Sequence, residues 1–251
     1  MPTDPIFWIT VVIAVTLVGL AKGGFSGIGS VATPLLALVL PPLQAAAIIL
    51  PILLLQDAIS VWVYRKDWDA WNVKVLVAGA VIGVGLAWSI AAFVSNDAIR
   101  LTVAVIGLVF CANAFLNRGP VAPRRPSSAS GVFWGAASGF TSALAQAGSP
   151  PFQMHVLPQR MPKMTLVGTQ ALFFAATNVM KVAPYFALGQ FSTEGLSVSL
   201  ALVPLAVATN FLGIWLVRKT PQETFYKIAY TLMFLVSVGL LYQGATGLLF
   251  K

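Results

Sequence analysis

The sequence predicts an all-α integral membrane protein built from two inverted repeats, each a broken or re-entrant helical hairpin followed by three transmembrane helices. Three observations predict this fold class. Of the 251 residues, 58% are hydrophobic and only 9% are charged, whereas a soluble domain carries roughly 25% charged residues. Several apolar runs approach the roughly 20 residues that cross a bilayer as a helix. Two Gly- and Pro-rich segments also recur in the same order in the two halves of the chain.

The apolar runs define the expected elements in chain order. The first run, 6–40, is too long for one crossing and is interrupted by glycines near 22–30. The run at 132–157 is interrupted in the same way near its middle. The uninterrupted runs are 43–63, 73–94, 98–116, 164–187, 196–217 and 225–250. Their length indicates helices, and the alternating hydrophobicity that is typical of barrel strands is absent.

A polar segment at 117–131, "NRGPVAPRRPSSASG", separates the two halves. The segment "GFSGIGSVATP" at 24–34 resembles "GFTSALAQAGSPP" at 139–151, and each precedes a long apolar helix that carries polar residues. We therefore expect a first membrane repeat at 1–116, a cytoplasmic linker at 117–131 and a second membrane repeat at 132–251. Together they are expected to form one transport domain.

The basic residues indicate how the two halves are oriented, because positive charge marks the cytoplasmic side of a membrane protein. If both interrupted segments crossed the membrane fully, the cations would be split almost evenly. If both return to the side from which they enter, one side holds nearly all of them: Arg65, Lys66, Lys74, Arg118, Arg124, Arg125, Arg160, Lys163, Arg218, Lys219 and Lys227. Only Arg100 and Lys251 then lie on the other side. This favours re-entrant hairpins, inverted repeats and both chain ends outside.

Composition also excludes several classes of function. The net charge of +8 is explained by basic residues at helix ends, so we expect no nucleic-acid partner. Cys111 is the sole cysteine, which excludes a disulfide framework and a multi-cysteine metal site. No nucleotide-binding motif is present. We expect no cofactor and no metal, while the oligomeric state stays open.

The two interruptions predict a site for an anion. Unsatisfied backbone groups cost several kcal/mol in hydrocarbon, so a broken helix persists only where it is buried in protein or lines a wet cavity. A half-helix beginning after Gly24 would direct amides and roughly half a positive charge towards the membrane centre. Pro150 and Pro151 suit the first turn of a second half-helix that begins near Ser149. Paired interruptions of this kind indicate a transporter binding site near the midplane.

Charged residues inside the apolar runs complete the candidate site. Lys22 lies beside the first interruption and Lys181 lies deep in a later run; a lysine at such depth costs roughly 2.5–3.5 kcal/mol or more and indicates function. We expect Lys22 and the amides of Gly23 and Gly24 to hold the anion, with Lys181 approaching from the other half. The candidate substrate-binding residues are Lys22, Gly23, Gly24, Ser26, Gly27, Ser30, Thr33, Gln146, Ser149, Gln170, Asn178 and Lys181.

Asp57 is expected either to pair with one of these lysines or to carry a coupling proton. Structural interpretations stay open beside the functional ones. Lys22 can snorkel to an interface if the first segment crosses fully. Asp57 and Lys181 can form a purely structural pair, and small residues such as Ser26 can serve helix packing.

The paired motifs resemble those of the sulfite exporter TauE/SafE family of bacterial membrane proteins. The matching stretches are "AKGGFSGIGSVATPLLALVLPPLQAAAIILP", which begins at Ala21, the 139–151 motif, and "TNVMKVAPYF" at 177–186. The resemblance covers essentially the whole chain. It implies a multi-pass protein of the bacterial plasma (inner) membrane that acts as a secondary transporter, and as an exporter, of a small sulfur-containing anion such as sulfite or an organosulfonate.

Two other functions remain as alternatives. "GFSG" at 24–27 matches the Gly-x-Ser-Gly pattern of rhomboid-like intramembrane serine proteases, for which Ser26 would be the nucleophile and His155 the base. The third possibility is a membrane protein that transports nothing, against which the intramembrane charges argue. The predicted partners of a transporter are its anion, a coupling proton or other ion, and the lipid bilayer.

Overall fold

The structure, a computed structural model, describes residues 4–25, 29, 32–36, 42–90, 127–146, 148–187, 189 and 191–249, together with isolated positions between 95 and 112. The described part of the chain contains helices and turns but no strand, which confirms the predicted all-α class. Among the residues that the structure describes, three helices are long and apolar enough to cross a membrane, and one bent pair makes a fourth candidate. Most of the predicted run at 98–116 and most of the 117–131 linker lie outside the described residues.

The first half begins with α1 (Pro5–Gly23), α2 (Ala32–Leu36), α3 (Pro42–Tyr64) and α4 (Ala70–Ile90). Asp4 caps α1 by accepting a hydrogen bond of 2.9 Å from the amide of Ile6. Gly24 ends the helix with φ 137°, a backbone conformation that only glycine adopts without strain. The predicted interruption near 22–30 is therefore present. The next described helix begins at Ala32. Residues 26–28, 30 and 31, where the predicted half-helix would begin, lie outside the described residues.

The second half contains α5 (Ser128–Ala145), α6 (Ser149–Val156), α7 (Lys163–Ala187), α8 (Thr193–Ala201), α9 (Val203–Lys219) and α10 (Gln222–Leu249). The helix α6 begins at Ser149, as its two prolines predict. The interruption before it follows Gln146, which ends α5 in the left-handed region with φ 53°. The helix α5 thus runs straight through Gly139, the residue that the sequence motif aligns with Gly24. The predicted run at 196–217 is bent by 49° between α8 and α9.

The first helix of each half packs against a long helix of the other half. In the α1–α9 contact, a Cβ atom on Gly23 would lie 2.5 Å from the Cα atom of Gly213. In the α4–α5 contact, a Cβ atom on Gly139 would lie 2.7 Å from the carbonyl oxygen of Ala80. Neither space accepts a side chain, so glycine is required for the close approach of these backbones.

The contacts also give the direction of the helices in the first half. The carbonyl of Ile48 on α3 accepts a hydrogen bond from the hydroxyl of Ser199 on α8. Further along α3, the side-chain amide of Gln56 donates to the carbonyl of Ala206, and the backbone carbonyl of Gln56 accepts from the side chain of Asn210. The helix α3 therefore runs parallel to α8 and α9. The helix α1 is also parallel to α9, because Gly19 lies against Thr209 and Gly23 against Gly213. Hence α1 and α3 run in the same direction, and α3 begins towards the end of the bundle at which α1 begins.

The second half contains the same kind of hairpin. The helices α5 and α4 are parallel, since Gly131 lies against Val75 and Gly139 against Ala80. The helix α7 runs in the same direction as α4. The amide of Asp69, just before α4 begins, donates to the hydroxyl of Thr169 on α7, and further along both helices Phe173 and Ala80 belong to one buried cluster. Hence residues 146–162 return the chain between two parallel helices, α5 and α7.

Candidate functional site

An ion pair lies at the point where α1 ends. Nζ of Lys22 donates to Oδ1 of Asp57, which lies on α3. The second carboxylate oxygen, Oδ2, accepts a hydrogen bond of 2.6 Å from Nδ2 of Asn178 on α7. The side chains are 11% exposed for Lys22 and 3% exposed for Asp57. The pair therefore joins α1, α3 and α7 in the interior of the protein.

Side chains of α3 also satisfy the backbone at the end of α1. The hydroxyl of Ser60 donates to the carbonyl of Lys22 at 2.9 Å, and that of Tyr64 donates to the carbonyl of Gly23 at 2.7 Å. The last carbonyls of a helix have no partner within the helix, so these bonds remove the cost of ending it inside the protein. A lysine in this last turn is also favoured by the negative end of the helix dipole.

The second intramembrane lysine has different surroundings. Lys181 is 1% exposed, and its Nζ donates to Oε1 of Gln146 at 2.8 Å and to the hydroxyl of Ser142 at 3.2 Å. Among the described residues, no carboxylate forms an ion pair with it, because Asp57 contacts Lys22 instead. Its Nζ therefore contacts neutral oxygens of α5 and of the second interruption.

A cavity of about 80 Å³ lies between the two interruptions. A cavity needs roughly 10–15 Å³ to hold one water by this measure, so the space suffices for a small anion. Its polar lining consists of Lys22, Ser142, Gln146, Ser149, Gln170 and Asn178. Its apolar wall includes Leu53 near the middle of α3 and Phe174 near the middle of α7, whose ring centroid lies 5.6 Å from Nζ of Lys22. Lys181 lies behind this lining and reaches it through Gln146 and Ser142.

Gln170 leaves one polar atom unmatched at the cavity. Its Nε2 donates to the carbonyl of Ala21 at 3.3 Å, while its Oε1 is buried without a hydrogen-bond partner. A buried polar atom without a partner costs about 1–3 kcal/mol, so such an atom indicates a place where a ligand or water is bound.

The structure brings together most of the described candidate residues. Among the cavity-lining residues that the sequence analysis missed, Ser142 is the one described residue with a polar side chain. Ser142 and Gln146 are four residues apart and so lie on one face of a helix, and this spacing is the feature of the sequence that could have identified Ser142. Gly23 and Gly24 serve the end of α1: the amide of Gly24 donates to the carbonyl of Ala21 at 3.1 Å. Predicted residues Ser26, Gly27 and Ser30, and the side chain of Thr33, lie outside the described residues.

The start of α6 offers fewer free amides than the sequence analysis expects. Gly148 and Ser149 line the cavity at the start of α6, but Pro150 and Pro151 have no N–H group. The next amide, that of Phe152, already donates to the carbonyl of Gly148 at 3.2 Å. Few backbone amides at the start of α6 are therefore left for an anion.

His155 lies in a separate polar cluster at the base of the second hairpin. Its Nδ1 is 3.1 Å from the hydroxyl of Ser130, and its Nε2 is 2.9 Å from Oδ1 of Asn72. Both ring nitrogens thus have partners on α5 and α4, and neither partner is the predicted nucleophile Ser26. The part of the chain that the structure describes contains no group of three or more metal-ligating side chains.

The comparison with protein families agrees with these features. The model of the family described as "Sulfite exporter TauE/SafE" matches residues 11–240 of the chain, which is most of its length. No curated protein and no solved structure matches the chain.

We predict that Asp57→Asn lowers the melting temperature of the purified protein in detergent, because Lys22 is then buried without its carboxylate. Breaking a buried ion pair costs about 3–5 kcal/mol. The double variant Lys22→Gln, Asp57→Asn should recover most of that loss, since it removes both charges and keeps groups that can form hydrogen bonds. Asp67→Asn, at an exposed acid beyond the end of α3, is the control and should melt like the wild type. A wild-type melting temperature for Asp57→Asn would contradict the structural role of the pair.

Proposed function

Because the chain belongs to the sulfite exporter TauE/SafE family, we propose that it is a secondary transporter that exports a small sulfur-containing anion, such as sulfite or an organosulfonate, across the bacterial plasma membrane. The observation that carries the proposal is the burial of Lys181 behind a small polar cavity between two interrupted helices. Leu53 and Phe174, near the middle of two long helices, line that cavity and support a site close to the midplane.

The balance of charge favours Lys181 over Lys22 as the lysine that binds the anion. The charge of Lys22 is neutralised by Asp57, so the buried cluster of Lys22, Asp57 and Lys181 has one positive charge in excess. A buried charge is costly unless it is paired, and a bound anion supplies the missing partner. In this proposal Lys181 acts with Gln146 and Ser142, while Lys22, Ser149, Gln170 and Asn178 complete the wall of the site.

The helix directions support an inverted arrangement of the two halves. The helices α3 and α7 are antiparallel, since Asp57 bonds Asn178 while Tyr64, at the end of α3, lies beside Gly168 near the start of α7. The helix α3 follows α1 and is parallel to it, and α7 follows α5 and is parallel to it. In each pair the second helix begins towards the same end of the bundle as the first. The first hairpin therefore enters from one end of the bundle and the second from the opposite end, as two inverted repeats at 1–116 and 132–251 require.

We assign the cytoplasmic side to the end of the bundle at which α3 ends and α5 and α7 begin. The helix α9 also ends there, because Lys163 donates to the carbonyl of Val217 at 2.8 Å. The described cations near this end are Arg65, Lys66, Lys74, Arg160, Lys163, Arg218, Lys219 and Lys227. Such a concentration of positive charge is typical of cytoplasmic helix ends. The 117–131 linker lies on this side in the same arrangement.

Alternating access then follows from movement of the hairpins against one another about a fixed central site. Ion coupling is assigned to Asp57. When it is ionised it holds Lys22; when it is protonated it no longer neutralises that lysine, and the ion pair that holds the end of α1 against α3 is lost. A proton is therefore the simplest coupling ion that these residues support.

We predict that Lys181→Gln weakens binding of the anion about ten- to hundredfold. That factor corresponds to the roughly 1.5–3 kcal/mol of a hydrogen bond to a charged group. The dissociation constants of sulfite, sulfate, thiosulfate and small sulfonates are measured by calorimetry at one salt concentration. Lys66→Gln, at an exposed lysine, is the matched control and should leave affinity unchanged.

Two results would contradict this assignment. Unchanged affinity in a folded Lys181→Gln variant would place the anion elsewhere in the protein. A wild-type protein that binds none of these sulfur anions would contradict the proposed transport function itself.

The proposed topology predicts which sites can be labelled from outside the cell. Single cysteines replace Ser128, Pro162 and Thr193 in a background in which Cys111 is replaced by alanine. An impermeant thiol reagent added to intact cells should label the cysteine at 193, beyond the outer end of α7, and should label the cysteines at 128 and 162 only after permeabilisation. Opposite accessibility of positions 128 and 162 would rule out a re-entrant second hairpin.

A further inference from the structure

We propose that the cavity selects a monoanion that also carries a hydrogen-bond donor, the chemistry of hydrogen sulfite and of hydroxy- or aminosulfonates. This inference rests on the transport function proposed above and specifies the substrate class of the same site. Two independent features of the cavity carry it: the net charge of the buried cluster and the unmatched oxygen of Gln170.

The net charge limits the charge of the ligand. Among the described residues that line the cavity, Lys22 is the one ionisable side chain, and Asp57 neutralises it. Lys181, behind Gln146 and Ser142, therefore provides a single excess positive charge. A monoanion neutralises this charge completely. A dianion leaves one negative charge in excess in an interior where uncompensated charge is costly.

Gln170 requires a donor on the ligand. The side chain is 5% exposed and lines the cavity, and its Oε1 has no hydrogen-bond partner. Its orientation is determined by the bond from Nε2 to the carbonyl of Ala21, since the reversed amide would place two oxygens against each other. The atom without a partner is therefore an acceptor. An acceptor repels a fully deprotonated oxyanion and bonds an O–H or N–H group.

The arrangement of α7 places both requirements on one face of one helix. Gln170, Phe174 and Asn178 recur every four residues and all line the cavity, and Lys181 follows one turn later. The acceptor and the excess charge thus lie along the same face of one helix. A ligand that satisfies both has an anionic group towards Lys181 and its donor towards Gln170. Sulfite enters this class by taking up one proton, SO₃²⁻ + H⁺ giving HSO₃⁻.

The test compares ligands of known charge and donor capacity by calorimetry on the purified full-length chain. Isethionate (2-hydroxyethanesulfonate) is a monoanion with a hydroxyl donor, and propane-1-sulfonate replaces that hydroxyl by a methyl group. Sulfate is a dianion at neutral pH. We expect isethionate to bind about tenfold more tightly than propane-1-sulfonate and sulfate to bind more weakly than both. Gln170→Met, which keeps the length of the side chain and removes the acceptor, should reduce the tenfold preference to about one.

If the Gln170→Met variant does not fold, the comparison of ligands on the wild-type protein still tests the inference by itself. Equal or reversed affinity of the two sulfonates, or binding of sulfate as tight as that of isethionate, would overturn the inference while leaving an anion transporter in place. If none of the anions binds, or if binding does not depend on Lys181, the proposed function fails and the inference fails with it. A preference for isethionate that persists in a folded Gln170→Met variant would place the acceptor on another residue.

Discussion

The ion pair between Lys22 and Asp57 is the interaction on which the rest of the site depends. A helix that ends inside a membrane protein leaves carbonyl groups without partners, and here it also brings in a lysine. Asp57 neutralises that lysine, and Ser60 and Tyr64, on the same helix, bond the last carbonyls of α1. Because Asp57 also bonds Asn178, the first interruption is held against both α3 and α7. The cavity lies beside this junction.

The two intramembrane lysines therefore have different parts in the account. The charge of Lys22 is used within the protein and holds one hairpin in place. In the proposed function, Lys181, whose Nζ contacts the neutral oxygens of Gln146 and Ser142, supplies the charge that attracts the anion. Separating a structural cation from a binding cation lets the site stay ordered before the anion arrives. It also ties the second interruption, where Gln146 lies, to the residue that would recognise the substrate.

The sequence predicted the features that depend on local chemistry. Composition gave the all-α membrane class, Gly24 gave the end of α1, and Pro150 with Pro151 gave the start of α6 at Ser149. Which lysine pairs with Asp57 depends on how α1 packs against α3, and composition does not report that packing. The sequence therefore allowed either Lys22 or Lys181 as the partner of Asp57. Because proline has no N–H group, the absence of amide donors at Pro150 and Pro151 can be read directly from the sequence. Ser142 was missed although its spacing from Gln146 places both on one helical face.

The most direct test is to locate the anion. Selenite, a heavier analogue of sulfite, scatters anomalously, so a structure of the wild-type protein determined with selenite reveals the position of the selenium atom. The account predicts anomalous density in the cavity between the two interruptions, with selenite oxygens within hydrogen-bond distance of Lys181 or its partners Gln146 and Ser142. Density confined to other parts of the protein, with this cavity containing only water, would contradict the central claim.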